Sequence, residues 1–238
     1  MSTDKNNTPD ETPVVDTAAA TPEAAAEELA VRNDEPVELD IDDSKSAPDD
    51  RESAGPFDVA EVPAMRPYVD LGGIKVAPRE GLQLRLEVEE KTNRVVAVSL
   101  DYRESLLQVQ AFAAPKTTGL WGRVRSELTQ QMSSQGAEVS EEKGVLGPEV
   151  LVRSQAPAEQ GGGVRVVRFV AVDGPRWMLR GVIMGKAATD AEVRESVIDL
   201  FRELVVVRGD QPMPPSELIP LRVPAGVQGG GQPEAQQA

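Results

Sequence analysis

The stretch VRVVRFVAVDGPRWMLRGVIM (Val164–Met184) decides the fold that we expect of this chain. It contains two runs rich in Val, Ile, Phe and Trp, separated by Asp173-Gly174-Pro175-Arg176, whose residue types are typical of turns. The pattern predicts a β-hairpin in which Val172 faces Trp177. Both faces of the hairpin carry apolar residues, so we expect central strands that are at least partly covered on both sides.

Three further strands are predicted before this hairpin. Leu82–Glu89 alternates between apolar and polar residues, with Glu87 and Glu89 on the face expected to be wet. Arg94–Leu100 alternates in the same way, and Leu106–Ala113 is an apolar run. Together these segments predict an antiparallel meander.

Two amphipathic helices are predicted beside the strands. Apolar residues recur every four positions from Leu120 to Met132, which predicts a helix of about 15 residues with Thr118 as N-cap and Gly136 at its end. A capping box at Thr189–Glu192 predicts the start of a second helix. The expected fold is therefore α+β: an antiparallel sheet of about six to eight strands with two helices packed on one face, flanked by disordered tails.

Charge separates the ends of the chain from its middle. Residues 1–54 hold 16 Asp and Glu against 4 Lys and Arg, which accounts for −12 of the net charge of −15. Such a segment buries too little apolar surface to offset its ordering entropy, so we expect a disordered acidic tail over residues 1–54. A single domain is expected over residues 55–224, followed by a Gly/Gln/Pro tail over residues 225–238.

The absence of two residue types limits the chemistry of the chain. It has no His and no Cys, which removes the commonest general base, the thiol nucleophile and the usual zinc ligands. Asp70, Asp101, Asp173 and Asp190 fall near predicted turns, where Asp commonly bonds backbone N–H groups. We expect no enzyme, no cofactor and no bound metal. Because no secretory signal and no apolar run of about 18 residues occurs, we expect a cytoplasmic protein without a membrane span.

The predicted hairpin loop carries the first candidate binding site. Asp173, Arg176 and Trp177, together with Arg180, could bind a planar or anionic ligand or anchor a partner. The favoured alternative places Trp177 in the core and has Asp173 closing the turn on backbone amides.

The entrance of the first helix supplies two further binding candidates, Lys116 and Trp121. A helix N-terminus favours anions, but the Lys116-Thr117-Thr118-Gly119 loop lacks the P-loop pattern, and a plain helix cap is the favoured interpretation.

A third candidate is an arginine-rich surface. If they shared a face, six residues would form a nucleic-acid surface: Arg123, Arg125, Arg165, Arg168, Arg176 and Arg180. Against this hypothesis, the chain has only 2 Trp, 2 Tyr and 4 Phe, too few for a stacking platform.

Several longer motifs resemble an actinobacterial family of domains of unknown function. The motifs are GPFDVAEVP (Gly55–Pro63), YVDLGGIKV (Tyr68–Val76), AFAAPKTTGLWGRVR (Ala111–Arg125), VDGPRWMLRGVIMG (Val172–Gly185) and VVVRGDQPMPPSELIPLRVP (Val205–Pro224). The resemblance covers nearly all of the predicted domain. It implies a cytoplasmic protein of a high-GC Gram-positive bacterium, and it brings no catalytic residues to this chain.

These observations favour a non-enzymatic binding or adaptor protein with an acidic regulatory tail. We expect a protein partner, and a second copy of the chain is one candidate, because it could cover a face of the Val164–Met184 hairpin. The alternatives are a nucleic-acid-associated protein that uses the arginine-rich surface and, less favoured, an enzyme based on carboxylates or Lys.

Overall fold

The computed structural model describes residues 42–63, 66–89, 91–156 and 162–224. The predicted tail up to residue 41 and the predicted C-terminal tail over residues 225–238 lie outside the described residues. Two β-sheets and four α-helices in the described part give an α+β fold, which confirms the predicted fold class.

The strands are, in chain order, β1 (Phe57–Asp58), β2 (Val69–Asp70), β3 (Ile74–Val76), β4 (Gln83–Glu89), β5 (Arg94–Tyr102), β6 (Ser105–Ala113), β7 (Glu138–Gly144), β8 (Gly147–Gln155), β9 (Val164–Asp173), β10 (Trp177–Gly185) and β11 (Val205–Val206). The α-helices are α1 (Arg51–Ala54), α2 (Trp121–Ser134), α3 (Lys186–Thr189) and α4 (Ala191–Arg202), and a 3-10 turn spans Val59–Glu61.

The larger sheet is antiparallel, with the strand order β4-β5-β6-β10-β9-β8-β7. It contains the predicted meander β4-β5-β6, and β10 is its middle strand, as expected for the Val164–Met184 hairpin. The smaller sheet has the order β1-β11-β3-β2, in which β1 pairs with β11 in parallel.

The register of the central hairpin differs from the predicted one by two residues. Val172 lies opposite Leu179, and Asp173 lies opposite Met178. The turn is closed by the Gly174 N–H, which donates to the Trp177 carbonyl at 2.7 Å. Asp173 stays in the strand because its carboxylate is held there by backbone N–H groups from other parts of the chain.

The two long helices lie on opposite faces of the larger sheet, so the prediction that both pack on one face is wrong. Helix α4 packs on what we call the core face, where a Cβ on Gly181 would lie 3.0 Å from the Phe201 ring. Helix α2 packs on β7, β8 and β9 from the other side. Because side chains alternate along a strand, Asp173, Met178 and Arg180 point to this second face, which we call the Arg180 face. The apolar residues on both faces of the hairpin require this double cover.

An extended C-terminal segment joins the two sheets, within the predicted extended stretch 213–224. The Ala113 N–H donates to the Glu217 carbonyl at 2.8 Å, and the Arg222 N–H donates to the Leu71 carbonyl at 2.8 Å. Ile219 is buried at 2% exposure, so this segment contributes to the core.

Both predicted N-caps need correction. Helix α2 begins at Trp121 without a side-chain cap from its own turn, so Thr118 is not its N-cap. Helix α4 is capped by Asp190, whose carboxylate accepts from the Glu192 and Val193 N–H groups, while Thr189 ends the preceding helix.

Two segments predicted to lack regular structure contain it. Residues 137–149, predicted as a polar connection, contain β7 and the start of β8, because a polar strand at a sheet edge has the composition of a loop. Order also begins before the predicted boundary at Ala54. Residues 42–54 include helix α1 and contact the β9–β10 turn.

Candidate functional site

Asp173 from the predicted binding loop is a long-range helix cap. Its carboxylate accepts from the backbone N–H groups of Leu120 at 2.9 Å, Trp121 at 3.3 Å and Ser46 at 3.0 Å. Burial raises the pKa of Asp173, and these three hydrogen bonds oppose that shift. With its oxygens engaged, Asp173 fixes the start of helix α2 and the chain segment around Ser46.

The two tryptophans among the candidate residues are core residues. Trp177 is 0% exposed, and its Nε1–H donates to the Asp58 carboxylate at 2.8 Å. Trp121 is also 0% exposed, and its Nε1–H donates to the Pro148 carbonyl at 2.7 Å. Both rings therefore contribute packing, and their polar atoms are satisfied inside the fold.

The two exposed candidates, Arg176 and Lys116, lie apart from Asp173 and the two tryptophans. Arg176 is half exposed, donates to the Gly209 carbonyl at 3.2 Å and lies 3.6 Å from the Asp210 carboxylate. Lys116 lies on the exposed surface of the loop that precedes helix α2. The structure thus separates Trp177 on the core face, Asp173 on the Arg180 face and these two cations at the surface.

Arg180 is the candidate whose surroundings are suited to binding. It is 2% exposed, and it lies opposite Gln110 of β6. Its guanidinium donates to the Gln110 Oε1 and lies 5.3 Å from the centre of the Phe112 ring. Gln110 is itself held by a hydrogen bond from its Nε2 to the Val96 carbonyl at 3.3 Å. The guanidinium is therefore oriented by an amide and an aromatic ring.

No carboxylate from the described residues compensates the charge of Arg180. Burial alone lowers the pKa of Arg180 to about 10, so the side chain remains a cation at neutral pH. Arg168 on the adjacent strand differs. Burial lowers its pKa as well, but hydrogen bonds to Glu142 and Glu149 outweigh that effect and the pKa is raised. Arg180 is thus a buried cation whose hydrogen-bond partner in this part of the chain is neutral.

A second polar cluster lies beside Arg180 on the same face. Glu87 of β4 accepts hydrogen bonds from Ser99 of β5 and from Gln108 of β6. A β-bulge follows Glu87, and Val88 beyond it is 46% exposed. Glu87 lies on the strand face that was predicted to be wet and is half-buried there, because Ser99 and Gln108 engage its carboxylate. Gln108 and Gln110, two residues apart within an apolar strand, are the sequence signal that could have indicated this polar row.

The remaining arginines of the predicted basic surface are distributed over different elements. Arg123 and Arg125 lie on helix α2 and are ion-paired with Glu127 at 3.7 Å and Glu141 at 3.0 Å. Arg168 points to the core face, opposite to the face of Arg180. These arginines therefore do not form one continuous basic surface.

Charged residues also line a cleft of about 470 Å³ at the ends of β4, β5 and β6. Arg85 and Asp101 pair with each other there at 2.7 Å. Arg103 and Glu104 form the adjoining turn, both with positive φ angles of 50° and 57°. Glu104 lies 3.9 Å from the Lys186 ammonium. Because Arg85, Asp101 and Glu104 have partners of opposite charge, Arg180 remains the stronger candidate for binding.

The described residues contain no group of three or more Asp and Glu residues arranged to hold a metal ion. None of the helices in this part of the chain combines the length and the apolar character needed to cross a membrane.

Comparisons with known proteins give a family but no activity. A family model described as a protein of unknown function, DUF3710, matches residues 55–229. No curated protein matches the chain. A crystal structure from Bacteroides thetaiotaomicron resembles it with a TM-score of 0.32 and 11% identity, over 63% of this chain and 52% of that one.

Proposed function

Since the chain belongs to the DUF3710 family of proteins of unknown function, we propose from its own geometry that it is a non-enzymatic binding protein. Its ligand is an acidic segment of a protein, and Arg180 receives a carboxylate of that segment.

The observation that carries this proposal is the burial of the Arg180 guanidinium without a carboxylate partner among the described residues. A guanidinium away from water is costly unless a counter-ion compensates it, and a planar guanidinium matches a carboxylate through two parallel hydrogen bonds. Gln110 engages one donor, and Phe112 lies beside the guanidinium. A carboxylate arriving at Arg180 therefore meets an oriented cation.

An acidic protein segment suits this site better than a nucleic acid does. Nucleic-acid binding draws on several Lys or Arg contacts to successive phosphates. Here the chain beyond residue 54 carries a net charge of only −3, and Arg123 and Arg125 are already paired with carboxylates. One buried arginine with amide and aromatic neighbours is better suited to a single carboxylate.

The arrangement of the acidic side chains supports a binding role over catalysis. Asp173, the described carboxylate whose pKa is raised, is held by three backbone N–H groups and caps a helix. Glu87 accepts from Ser99 and Gln108. Both groups are committed to contacts inside the fold.

The test follows by NMR, in the full chain, the Arg180 Nε–H resonance of the wild type and the backbone amide resonances of β6 and β10 in the wild type and in every variant. A tetraglutamate peptide is added up to about 5 mM, with tetraglutamine as the uncharged control. We expect the acidic peptide alone to shift these resonances, and we expect Arg180→Gln to lower its affinity by about tenfold or more, as for the loss of a charged hydrogen bond. Arg176→Gln removes the same charge from the exposed turn and should bind like the wild type.

Three results would count against the proposal. The Arg180 site is wrong if the two peptides shift the resonances equally, or if Arg176→Gln and Arg180→Gln weaken binding alike. If free glutarate binds as tightly as the peptide, the ligand is a small dicarboxylate and the acidic-segment assignment is wrong. Circular dichroism of each variant confirms that the fold is retained.

A further inference from the structure

We propose that a second copy of this chain binds along the outer edge of β4, so that the two larger sheets join through an antiparallel pair of β4 strands. Leu86 lies at the centre of this pair, opposite Leu86 of the second copy. The inference does not depend on the ligand proposed for Arg180.

The outer edge of β4 carries main-chain groups that have no partner among the described residues. β4 is the last strand of the larger sheet, and its inner edge pairs with β5. The Glu89 carbonyl accepts from the Asn93 N–H at 2.8 Å and therefore faces the β4–β5 hairpin. Because main-chain groups alternate between the two edges of a strand, those of Leu84, Leu86 and Val88 face outward.

The neighbouring strands give the same result independently. The Ala114 N–H donates to the Arg176 carbonyl at 2.9 Å, so the even-numbered residues of β6 bond on the side of β10 and its odd-numbered residues on the side of β5. Those residues lie opposite even-numbered residues of β5, whose odd-numbered residues therefore bond to β4. Glu87 lies opposite Ala97, so it bonds to β5 and its two neighbours face outward.

The sequence of β4, QLRLEVE, is self-complementary about its middle residue, Leu86. In an antiparallel pair centred there, Leu84 lies opposite Val88 of the second copy and Arg85 lies opposite Glu87, each twice by symmetry. The outward main-chain groups then pair with one another. A pair centred on Arg85 or on Glu87 instead places like charges directly opposite, which is destabilising.

The two charged residues retain capacity for this contact. The Arg85 side chain is 64% exposed, and Asp101 at 2.7 Å engages only part of its five N–H donors. Glu87 accepts one hydrogen bond on each carboxylate oxygen, from Ser99 and from Gln108, and a carboxylate has about four acceptor positions. A contact between Arg85 and Glu87 of the second copy therefore adds to these bonds.

The apolar residues of β4 favour the same arrangement. Leu84 and Leu86 are half-buried against the core, and Val88 is 46% exposed. A second β4 strand places Leu86 against Leu86 and Leu84 against Val88 on the core face. Apolar contacts on one face of the new strand pair thus accompany ion pairs on the other.

The opposite edge of the sheet, β7, lacks this complementarity. It also has seven residues, EVSEEKG, but its middle residue is Glu141. Self-pairing about the middle would place two Glu141 carboxylates opposite each other, and Glu141 already pairs with Arg125 of helix α2 at 3.0 Å. Like charges of this kind protect an edge strand from pairing, so the second copy is assigned to β4.

The test is sedimentation velocity of the full chain at concentrations up to about 500 μM, because an interface of one strand pair belongs to the small, weak class. We expect a dimer whose fraction rises with concentration. Arg85→Glu places like charges in both ion pairs and should lower the association constant about tenfold or more. Lys143→Glu makes the same charge change on an exposed residue of β7 and should associate like the wild type.

Glu87→Arg tests the register itself. Alone, it places two arginines opposite each other in both pairs and should also weaken the dimer. In an equimolar mixture with the Arg85→Glu chain, every contact between positions 85 and 87 again joins opposite charges, so a heterodimer should form. Damage to the fold would not be rescued by mixing, and circular dichroism of each variant confirms that the fold is retained.

Three results would overturn the proposal. A monomer throughout the concentration range shows that β4 does not bind a second copy. A dimer that Arg85→Glu and Lys143→Glu leave intact, or weaken equally, does not form through β4. If the two β4 variants are monomeric both alone and mixed, the pair is not centred on Leu86.

Discussion

Two buried arginines on neighbouring strands, Arg168 of β9 and Arg180 of β10, differ in what compensates their charge. Arg168 is 6% exposed and donates to Glu149 at 2.8 Å and to Glu142 at 2.9 Å. Arg180 is 2% exposed and donates to the neutral Gln110, with no carboxylate partner in the part of the chain that the structure describes. Burial alone therefore does not separate Arg168 from Arg180, the residue for which we propose a binding role. The presence or absence of a counter-ion among the described residues does.

The strongest test of this comparison removes the paired arginine. Arg168→Met leaves Glu149, which is 3% exposed, as a buried carboxylate without its cation. We expect the free energy of unfolding to fall by about 3–5 kcal/mol, as for other broken buried ion pairs. Urea denaturation monitored by circular dichroism measures this change.

Arg153→Met is the control for that measurement. Arg153 lies on β8 and is paired at the surface with Glu138, at 3.6 Å. Its loss should cost no more than about 1 kcal/mol. If Arg168→Met lowers the free energy of unfolding as little as Arg153→Met does, the buried pair does not stabilise the fold. Arg168 then does not differ from Arg180 in the way we infer.

Arg51 is a second paired arginine, and the pH dependence of its contact with Glu61 gives a further test of the comparison. Arg51 is 7% exposed and donates to both oxygens of Glu61, at 2.6 and 2.8 Å. Burial raises the pKa of Glu61, but the hydrogen bonds from Arg51 and from the Asp58 N–H outweigh it, so the pKa is lowered overall. The Glu61 carboxylate thus binds a proton less tightly in the folded state than in the unfolded chain. The stabilisation is complete above the unfolded pKa of about 4.3 and is lost as the pH falls through the lower folded value.

Glu61→Gln should therefore destabilise the chain by about 1–2 kcal/mol at pH 7, the size of a hydrogen bond to a charged group. Below about pH 4 the difference from the wild type should shrink, because Glu61 becomes neutral as well. Urea denaturation at a series of pH values gives both numbers. A difference that is constant down to pH 3 would show that the charge of Glu61 is not what stabilises this contact.

The comparison can also be reversed by giving Arg180 a partner. Gln110→Glu places a carboxylate where the Gln110 amide now accepts from Arg180, as Glu149 does for Arg168. We expect the free energy of unfolding to rise by about 1 kcal/mol, since a charged hydrogen bond is gained and the bond to Val96 is lost. Tetraglutamate affinity, measured by the NMR titration, should fall about tenfold. Unchanged affinity would mean that the ligand does not use Arg180.

The larger sheet could be predicted from the sequence because its information is local. Apolar alternation in Leu82–Glu89 and Arg94–Leu100, and the turn residues at Asp173–Arg176, each reside in one short stretch. The predicted hairpin register was wrong by two residues because a contact between residues far apart in the sequence determines it. Asp173 remains in the strand because it caps a helix that begins 52 residues earlier, and no local pattern encodes that contact.

The candidate site was less predictable for the same reason. Sequence selected Arg180 by its place near a turn with Trp177, yet the two side chains point to opposite faces of β10. What distinguishes Arg180 from Arg168 is the position of Glu149, which belonged to a segment predicted as a polar connection. Pairing across strands decides which buried charge is neutralised, and a single amino-acid sequence does not show which strands pair.

The smallest effect on stability is expected for Arg180→Met. Methionine fills similar space beside Phe112, and no described carboxylate is left behind without its cation. We expect the free energy of unfolding to stay within about 1 kcal/mol of the wild type or to rise, because replacing a buried charge with an apolar side chain is often neutral or favourable. A loss of 3 kcal/mol or more in urea denaturation would place Arg180 with Arg168 as a structural arginine. The proposed binding role requires retained stability together with lost tetraglutamate binding. Arg180 would then contribute to binding the ligand and not to the stability of the fold.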